Sequence, residues 1–404
     1  MTRIDSLPPP TLIADQRGLQ DLAARLEDEP LVAVDTEADS FFSYREKVCL
    51  VQITAGGEDF LVDPLAKLDL EALGPLFADP ERVKIFHDSE FDVLILKRAY
   101  GFDFAGLFDT RVAAAALGRE ALGLAGVLEE EFGVQLDKTQ QRSDWSRRPL
   151  SKDQIGYARL DTHFLPELCQ RMRRYLEEHE RVHVAESEFE RLAQLDPPPR
   201  EFDPDEFIRL KGARKLDLAQ QAVLRELFIA RDRLARERDV PPFKVLAHAA
   251  LIDLAVAQPT DAAGLGRAAK VRSQAAARVA EPFLEAIRRG RESGPLEQSP
   301  RLPPKDGTGG FDEVDHELHD RLKKLRTKLS KAEGFDPSLA LNRHTLLTLV
   351  REKPTDPAAL ESIEGLHAWQ REQYGDRIVR TVLRLQSDLE DGRFVPRPKR
   401  NRRS

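Results

Sequence analysis

A repeated helical pattern in the C-terminal half constrains the fold of this 404-residue chain more than any other feature. The segment PPFKVLAHAALIDLAVAQPTDAAGL, which begins at Pro241, matches DPSLALNRHTLLTLVREKPTDPAAL, which begins at Asp336, at a constant offset of 95 residues. Both copies contain Pro-Thr-Asp ahead of a helical stretch, which predicts the same helix start twice. The repeat therefore predicts two copies of one small all-α domain.

Two proline-rich breaks predict the domain boundaries. DPPPREFDPDEF (196–207) and GPLEQSPRLPPKDGTGG (294–310) are polar and rich in residues that interrupt helices. We predict an N-terminal domain over 1–195, a first helical domain over 207–290, a linker over 291–314, a second helical domain over 315–392 and a basic tail over 393–404.

The first 165 residues alternate strand-like and helix-like stretches. Apolar, β-branched runs at 31–39, 47–55 and 59–64 predict three neighbouring strands, the last two joined by a hairpin turn at GGED. A further strand at 83–88 precedes a helical pattern at 91–102, with Gly101 as the expected stop. This order predicts an α/β domain with a mixed sheet.

Acidic residues occur in three of these segments. Asp35 and Glu37 stand two apart on a strand, so their side chains share a face. Asp92 opens a predicted helix, and Tyr157 and Asp161 stand one turn apart on another helix. Each feature alone is also typical of solvated acids or of helix-dipole compensation.

Together the four carboxylates suggest a metal centre. Carboxylate oxygens are ligands for hard divalent cations, and four of them can hold two ions, Mg²⁺ or Mn²⁺, about 3.5–4 Å apart for phosphodiester cleavage. A tyrosine has an ordinary pKa near 10, so we expect Tyr157 to orient the attacking water rather than to remove its proton fully.

Three stretches of the N-terminal half resemble the ribonuclease D family of DEDDy 3′–5′ exonucleases. They are VAVDTEAD (32–39), FHDSEFDVLIL (86–96) and LSKDQIGYARLDTHFLPEL (150–168). The two C-terminal copies resemble the helicase-and-ribonuclease-D C-terminal (HRDC) domain. The resemblance implies a ribonuclease H-like α/β domain with a mixed sheet, followed by two small all-α domains. It also implies metal-dependent trimming of RNA 3′ ends, including those of tRNA precursors, with release of nucleoside 5′-monophosphates.

The resemblance also assigns roles to individual residues. It implies that Asp35, Glu37, Asp92 and Asp161 are metal ligands, and that Tyr157 positions the water, so that these five residues form the catalytic set.

Three further residues are candidate substrate contacts: His87, Lys138 and Trp145. For His87 the alternative is a purely structural role. Trp145 could stack on a base, and the alternative is that its ring packs in the core. Asp109 is expected to cap a helix N-terminus.

Charge is divided unevenly along the chain. The net charge of −8 combines −18 over residues 1–206 with +10 over residues 207–404. The first helical copy, 207–290, carries +7, whereas the second, 315–392, carries −1. Since positive charge attracts RNA phosphates, these sums predict that the first copy and the basic tail anchor the RNA.

Composition excludes several protein classes. Two cysteines cannot supply a disulfide framework, which favours a reducing, cytoplasmic compartment. No apolar run approaches the ~18 residues of a membrane helix, and the N-terminus lacks the pattern of a secretion signal. We expect a monomer that acts on RNA. A 3′–5′ DNA exonuclease is the nearest alternative, and a non-catalytic RNA-binding protein is a third.

Overall fold

The N-terminal half is built on one six-stranded mixed sheet. The computed structural model describes residues 7–270 and 279–396. The strands are β1 (Thr11–Ile13), β2 (Leu31–Ala38), β3 (Val48–Ala55), β4 (Glu58–Val62), β5 (Val83–Phe86) and β6 (Leu107–Asp109). Their spatial order is β1-β4-β3-β2-β5-β6. β3 pairs antiparallel with β2 and β4, and the other three pairs are parallel.

The predicted strands and their turn are confirmed. Gly56 and Gly57 both have positive φ, 56° and 79°, which suits the tight turn between β3 and β4. β3 is buried along its whole length because both faces of the sheet are covered. The sequence patterns missed β1 and β6, since three residues are too few to show a period of two.

Helices cover both faces of this sheet. They are α1 (Gln16–Leu26), α2 (Gly74–Ala78), α3 (Glu90–Tyr100), α4 (Thr110–Ala116), α5 (Leu124–Phe132), α6 (Lys152–His163), α7 (Leu165–Glu178) and α8 (Val182–Ala193). α3 ends where predicted, at Gly101 in the left-handed conformation (φ 69°). The predicted cap at Asp109 is also confirmed, since its carboxylate accepts the backbone N–H groups of Arg111 and Val112.

The remaining described helices form two similar sets. The first contains α9 (Leu218–Glu237), α10 (Pro242–Val245), α11 (His248–Ala257), α12 (Ala262–Ala269) and α13 (Ala280–Glu292). The second contains α14 (Glu313–Glu333), α15 (Pro337–Ala340), α16 (Arg343–Glu352) and α17 (Ala368–Glu390). α11 and α16 begin and end 95 residues apart, as the repeat predicts, and both end in a left-handed residue, Gln258 or Lys353.

The two sets pack differently on the N-terminal half. The first has a hydrophobic core of its own, around Phe207, Leu251 and Phe283. The second shares one continuous core with the sheet and its helices. The domain boundaries remain a prediction, and residues 397–404 of the predicted tail lie outside the described residues.

Specific contacts hold each set in place. The Trp369 indole N–H donates to the Ser187 hydroxyl on α8 (3.1 Å), and the Asp336 N–H donates to the Ala115 carbonyl on α4 (3.0 Å). The first set contacts the segment after β2, where the Tyr44 hydroxyl donates to Asp232 (2.7 Å). Among the described residues, no helix is both long and apolar enough to cross a membrane.

Candidate active site

Strand β2 presents two acids on one face. Asp35 and Glu37 lie opposite Gln52 and Leu50 of β3 in the antiparallel register. Thr36, between the acids, points to the other face, since successive strand residues alternate. The predicted shared face of the two acids is therefore present.

Helix α6 brings the third acid to this face. Ser151 and Gln154 form a capping box that starts the helix. Asp59 of β4 then holds α6 on the sheet, because it pairs with Arg159 (2.7 Å) and His163 (2.9 Å). In this position Asp35, Glu37 and Asp161 each offer a carboxylate oxygen within 4.8 Å of the others.

Asp92 lies beside the three clustered acids, but a different helix, α3, positions its side chain. It sits in the first turn of α3, is buried, and accepts a hydrogen bond from the Thr36 hydroxyl (2.5 Å). The start of α3 is in turn fixed by Asp109, whose carboxylate accepts the N–H groups of Asp88 (3.1 Å) and Ser89 (2.7 Å). Asp92 is not among the three carboxylates that share the 4.8 Å cluster.

Burial and mutual repulsion raise the pKa of all four carboxyl groups. Burial is the main cause in each case, and it raises the pKa of Asp35 and Asp92 well above the usual range. The charges of Asp35 and Asp161 add to burial in raising the pKa of Glu37 to about 10, and that of Asp161 is raised to about 7. Such a set favours a positive charge between its members. All-oxygen donors of this kind fit a hard divalent cation.

Tyr157 lies one turn before Asp161 on α6, and its hydroxyl is close enough to that carboxyl to influence the carboxyl's pKa. Burial and then the Asp161 charge raise the pKa of its hydroxyl. Its ring packs near Trp145, with centroids 6.0 Å apart. Trp145 is only 1% exposed and belongs to a small core with Leu50 and Ala158. This burial favours the packing alternative for Trp145 and leaves its ring no free face for a base.

A cleft of about 330 Å³ opens over these residues. Its lining includes the three clustered acids and Tyr157, together with His87 and Lys138, two of the three candidate substrate contacts. His87 shares a hydrogen bond with the Thr110 hydroxyl (2.9 Å), and burial lowers its pKa. Its Nε2 atom is buried without a hydrogen-bond partner among the described residues.

Sequence patterns did not mark several polar residues of the cleft lining, among them Arg111 and Gln141. Arg111 follows the Asp109 cap on α4 and lies 3.7 Å from the Asp88 carboxylate. No local pattern marks either residue, because only the packing of α4 and of the segment before α6 turns them towards the acids.

Comparison with known proteins assigns two domain types to the chain. The family described as 3′–5′ exonuclease matches residues 10–177, and the HRDC domain matches residues 220–287 and again 315–382. Ribonuclease D of Gluconacetobacter diazotrophicus is 30% identical over 96% of this chain and 94% of that protein. The chain belongs to the ribonuclease D family.

Other relatives agree with this assignment. Ribonuclease D of Sphingobium indicum is 31% identical over 95% of this chain and 97% of its own length. The catalytic core of RRP6 from Trypanosoma brucei is 30% identical, with a TM-score of 0.66 over 72% of this chain and 82% of that one. Escherichia coli RNase D, at 23% identity, supports the fold alone, with a TM-score of 0.67 over 93% of this chain and 99% of that one.

Membership of the ribonuclease D family establishes the activity. The chain is a 3′–5′ exoribonuclease, a hydrolase that acts on RNA, and the predicted fold with its two HRDC copies is confirmed. Exonucleases of this family depend on metal ions, and the acidic cluster that could hold one is present here.

Proposed function

We propose that this ribonuclease D trims RNA 3′ ends, including those of tRNA precursors, by two-metal phosphodiester hydrolysis that releases nucleoside 5′-monophosphates. The observation that carries the proposal is the convergence of Asp35, Glu37 and Asp161 within 4.8 Å in one cleft with Tyr157. Asp92 completes the proposed ligand set, since its buried carboxylate is close enough for the charge of Asp35 to raise its pKa.

The four acids would hold two divalent ions, Mg²⁺ or Mn²⁺. Such ions, when bound, acidify the attacking water and neutralise charge at the scissile phosphate. The four carboxylates would hold these ions in place and would thereby set where the 3′-terminal phosphodiester binds. Thr36 supports this arrangement by holding one oxygen of Asp92.

Tyr157 would orient the water. Its hydroxyl stays protonated at neutral pH, because burial raises a pKa that is ordinarily near 10. It can donate its hydrogen to Asp161 and accept one from water through an oxygen lone pair. The packing of its ring near Trp145 limits the positions that the hydroxyl can take.

His87 and Lys138 are proposed to contact the substrate from the cleft wall. A lysine carries a positive charge for a phosphate, and the imidazole ring of His87 lies in the same cleft wall. The net charge of +10 over residues 207–404 supports a structured polyanion such as a tRNA precursor as substrate. We further propose that the enzyme works as a cytoplasmic monomer, divided at the domain boundaries predicted above.

One experiment tests the reaction. Purified protein is incubated with 3′-tailed tRNA precursor and with DNA of matched sequence, in Mg²⁺, in Mn²⁺ and in EDTA. We expect stepwise shortening of the RNA with nucleoside 5′-monophosphates in either metal, and none in EDTA. Faster shortening of the DNA, or release of 3′-monophosphates, would contradict the proposal.

A further inference from the structure

A second cleft, far in sequence from the acids, lies between α14 and α17 of the second HRDC copy. It has a volume of about 320 Å³. Six of the side chains that line it are cationic: Arg321, Lys324, Lys328, Arg377, Arg380 and Arg384. We call this cleft the basic groove.

The helical spacing explains why these side chains converge. Arg321, Lys324 and Lys328 stand at i, i+3 and i+7 on α14, and the three arginines of α17 repeat that spacing. Residues so spaced share one helix face. At 1.5 Å per residue, each row of three extends along ~10 Å of its helix. The adjoining faces of the two helices, which include Leu322 and Ile378, are buried in the core.

Most of the groove's cations have no acidic partner. Arg321 pairs with Glu317 and Asp388, both at 2.7 Å. By contrast, the groove's other five cations are exposed, and none of them has a carboxylate oxygen within 4.0 Å in the part of the chain that the structure describes. Cations so close together repel one another unless an anion lies between them.

The first HRDC copy has a higher net charge, +7, and several of its cations are paired with carboxylates. The pairs are Arg225–Asp205, Arg236–Asp232, Lys270–Asp253 and Arg289–Glu226. The net charge of the second copy, −1, conceals the concentration of cations in its basic groove.

We propose that the basic groove binds the phosphate backbone of the RNA substrate, away from the 3′ end that occupies the acidic cleft. The proposal rests on the proposed function and deepens it. RNA is the favoured occupant, since the enzyme's own substrate is a polyanion and residues 1–206 carry −18, which repels it. Arginine side chains, which form four of the groove's six cations, bind phosphates through two parallel N–H groups.

The test removes three groove charges. The variant carries Lys324→Gln, Lys328→Gln and Arg384→Gln, all at exposed positions. The matched control carries Lys211→Gln, Arg214→Gln and Lys215→Gln, also exposed, in the first copy. Dissociation constants for a long 3′-tailed RNA are measured across a salt series, with EDTA present so that the RNA stays intact. Circular dichroism checks the fold of each variant.

We expect the groove variant to bind about tenfold more weakly or worse, and its salt slope to fall by about 2, at about 0.7 per lost phosphate contact. A charge-preserving variant, with Lys324→Arg, Lys328→Arg and Arg384→Lys, should bind as the wild type does. Equal affinity and slope for groove variant and wild type would overturn the proposal, as would loss of binding in the control alone. Wild-type protein that binds RNA but fails to shorten it would instead contradict the proposed function.

Discussion

Gln52 lies directly opposite Asp35 in the antiparallel pair of β3 and β2, and both polar atoms of its side-chain amide are buried with no hydrogen-bond partner among the residues that the structure describes. A buried polar group left unpaired costs about 1–3 kcal/mol. Gln52→Met keeps the volume and removes that cost. We therefore expect the metal-free variant to have a free energy of unfolding higher by about 1 kcal/mol, measured by urea denaturation.

Thr54→Val is the matched control for this change. Thr54 follows on the same face of β3, but its hydroxyl is paired with Asp59 and Thr162, both at 2.8 Å. Its removal leaves partners unsatisfied and should lower the free energy of unfolding. A lower free energy of unfolding in both variants would contradict the prediction, because it would mean that the Gln52 amide already has hydrogen-bond partners.

Asp161→Asn tests the acidic cluster. It removes one negative charge from a buried group in which burial and repulsion raise every pKa. We expect exoribonuclease activity to fall by more than the 10–100-fold typical of changes outside the ligand set. Without metal, the melting temperature should rise because repulsion is relieved. Activity near that of the wild type would contradict the assignment of Asp161 as a ligand.

Tyr157→Phe removes only the hydroxyl proposed to orient water. The rate constant kcat should fall by about 10²–10⁴-fold, whereas the dissociation constant for RNA should change little. Single-turnover kinetics and binding in EDTA measure the two quantities. Tyr100→Phe, on α3 and outside the cleft lining, removes an equal hydroxyl and should leave kcat unchanged. Weak binding with normal kcat would exclude this role for Tyr157.

Gly118→Ala tests the docking of the second HRDC copy. Gly118 has a φ of 71°, and a Cβ atom there would overlap the carbonyl oxygen of Gly334. Gly101→Ala is the control, since φ is 69° but no atom lies within 4 Å of its Cβ position. Backbone strain of about 1–2 kcal/mol is common to both. Only Gly118→Ala should also loosen the interface.

Tryptophan fluorescence reports that loosening. The chain has two tryptophans, and Trp369 lies at this interface, bonded to Ser187, whereas Trp145 is buried in the other half. A red shift of emission is expected for Gly118→Ala before global unfolding. Identical emission and stability in both variants would mean that the interface tolerates the extra methyl group.

Lys84 predicts a pH dependence of stability. It is fully buried on β5, and burial lowers its pKa from 10.5 to about 8. Between these values the unfolded chain binds a proton that the folded chain does not, so the free energy of unfolding should rise with pH across this window. The full shift corresponds to about 3 kcal/mol.

Lys84→Met should remove this rise, whereas Lys323→Met, at an exposed position, should keep it. Urea denaturation at a series of pH values from about 7 to about 11 measures this rise in the free energy of unfolding. A rise of equal size in Lys84→Met and in the wild type would assign it to another group.

Local patterns predicted the parts of the site but not their assembly. The alternation of β2 placed Asp35 and Glu37 on one face, and the spacing of α6 placed Tyr157 with Asp161. The expectation that Asp92 joins them as a metal ligand stays a prediction. The involvement of Arg111 was not predictable, and the sequence left Trp145 open between core packing and base stacking, since both outcomes depend on contacts between distant segments.

By itself, the sequence determined the repeat, most of the strands, the helix caps and the order of the acidic segments. Periods of 2 and 3.6 residues and the hydrogen bonds of capping groups operate within a few neighbours, so they are visible in the order of residues. The tertiary structure alone decided which charges meet. A net charge of −1 over 315–392 conceals the basic groove, because ion pairs and helix packing determine the local potential and a sum contains neither.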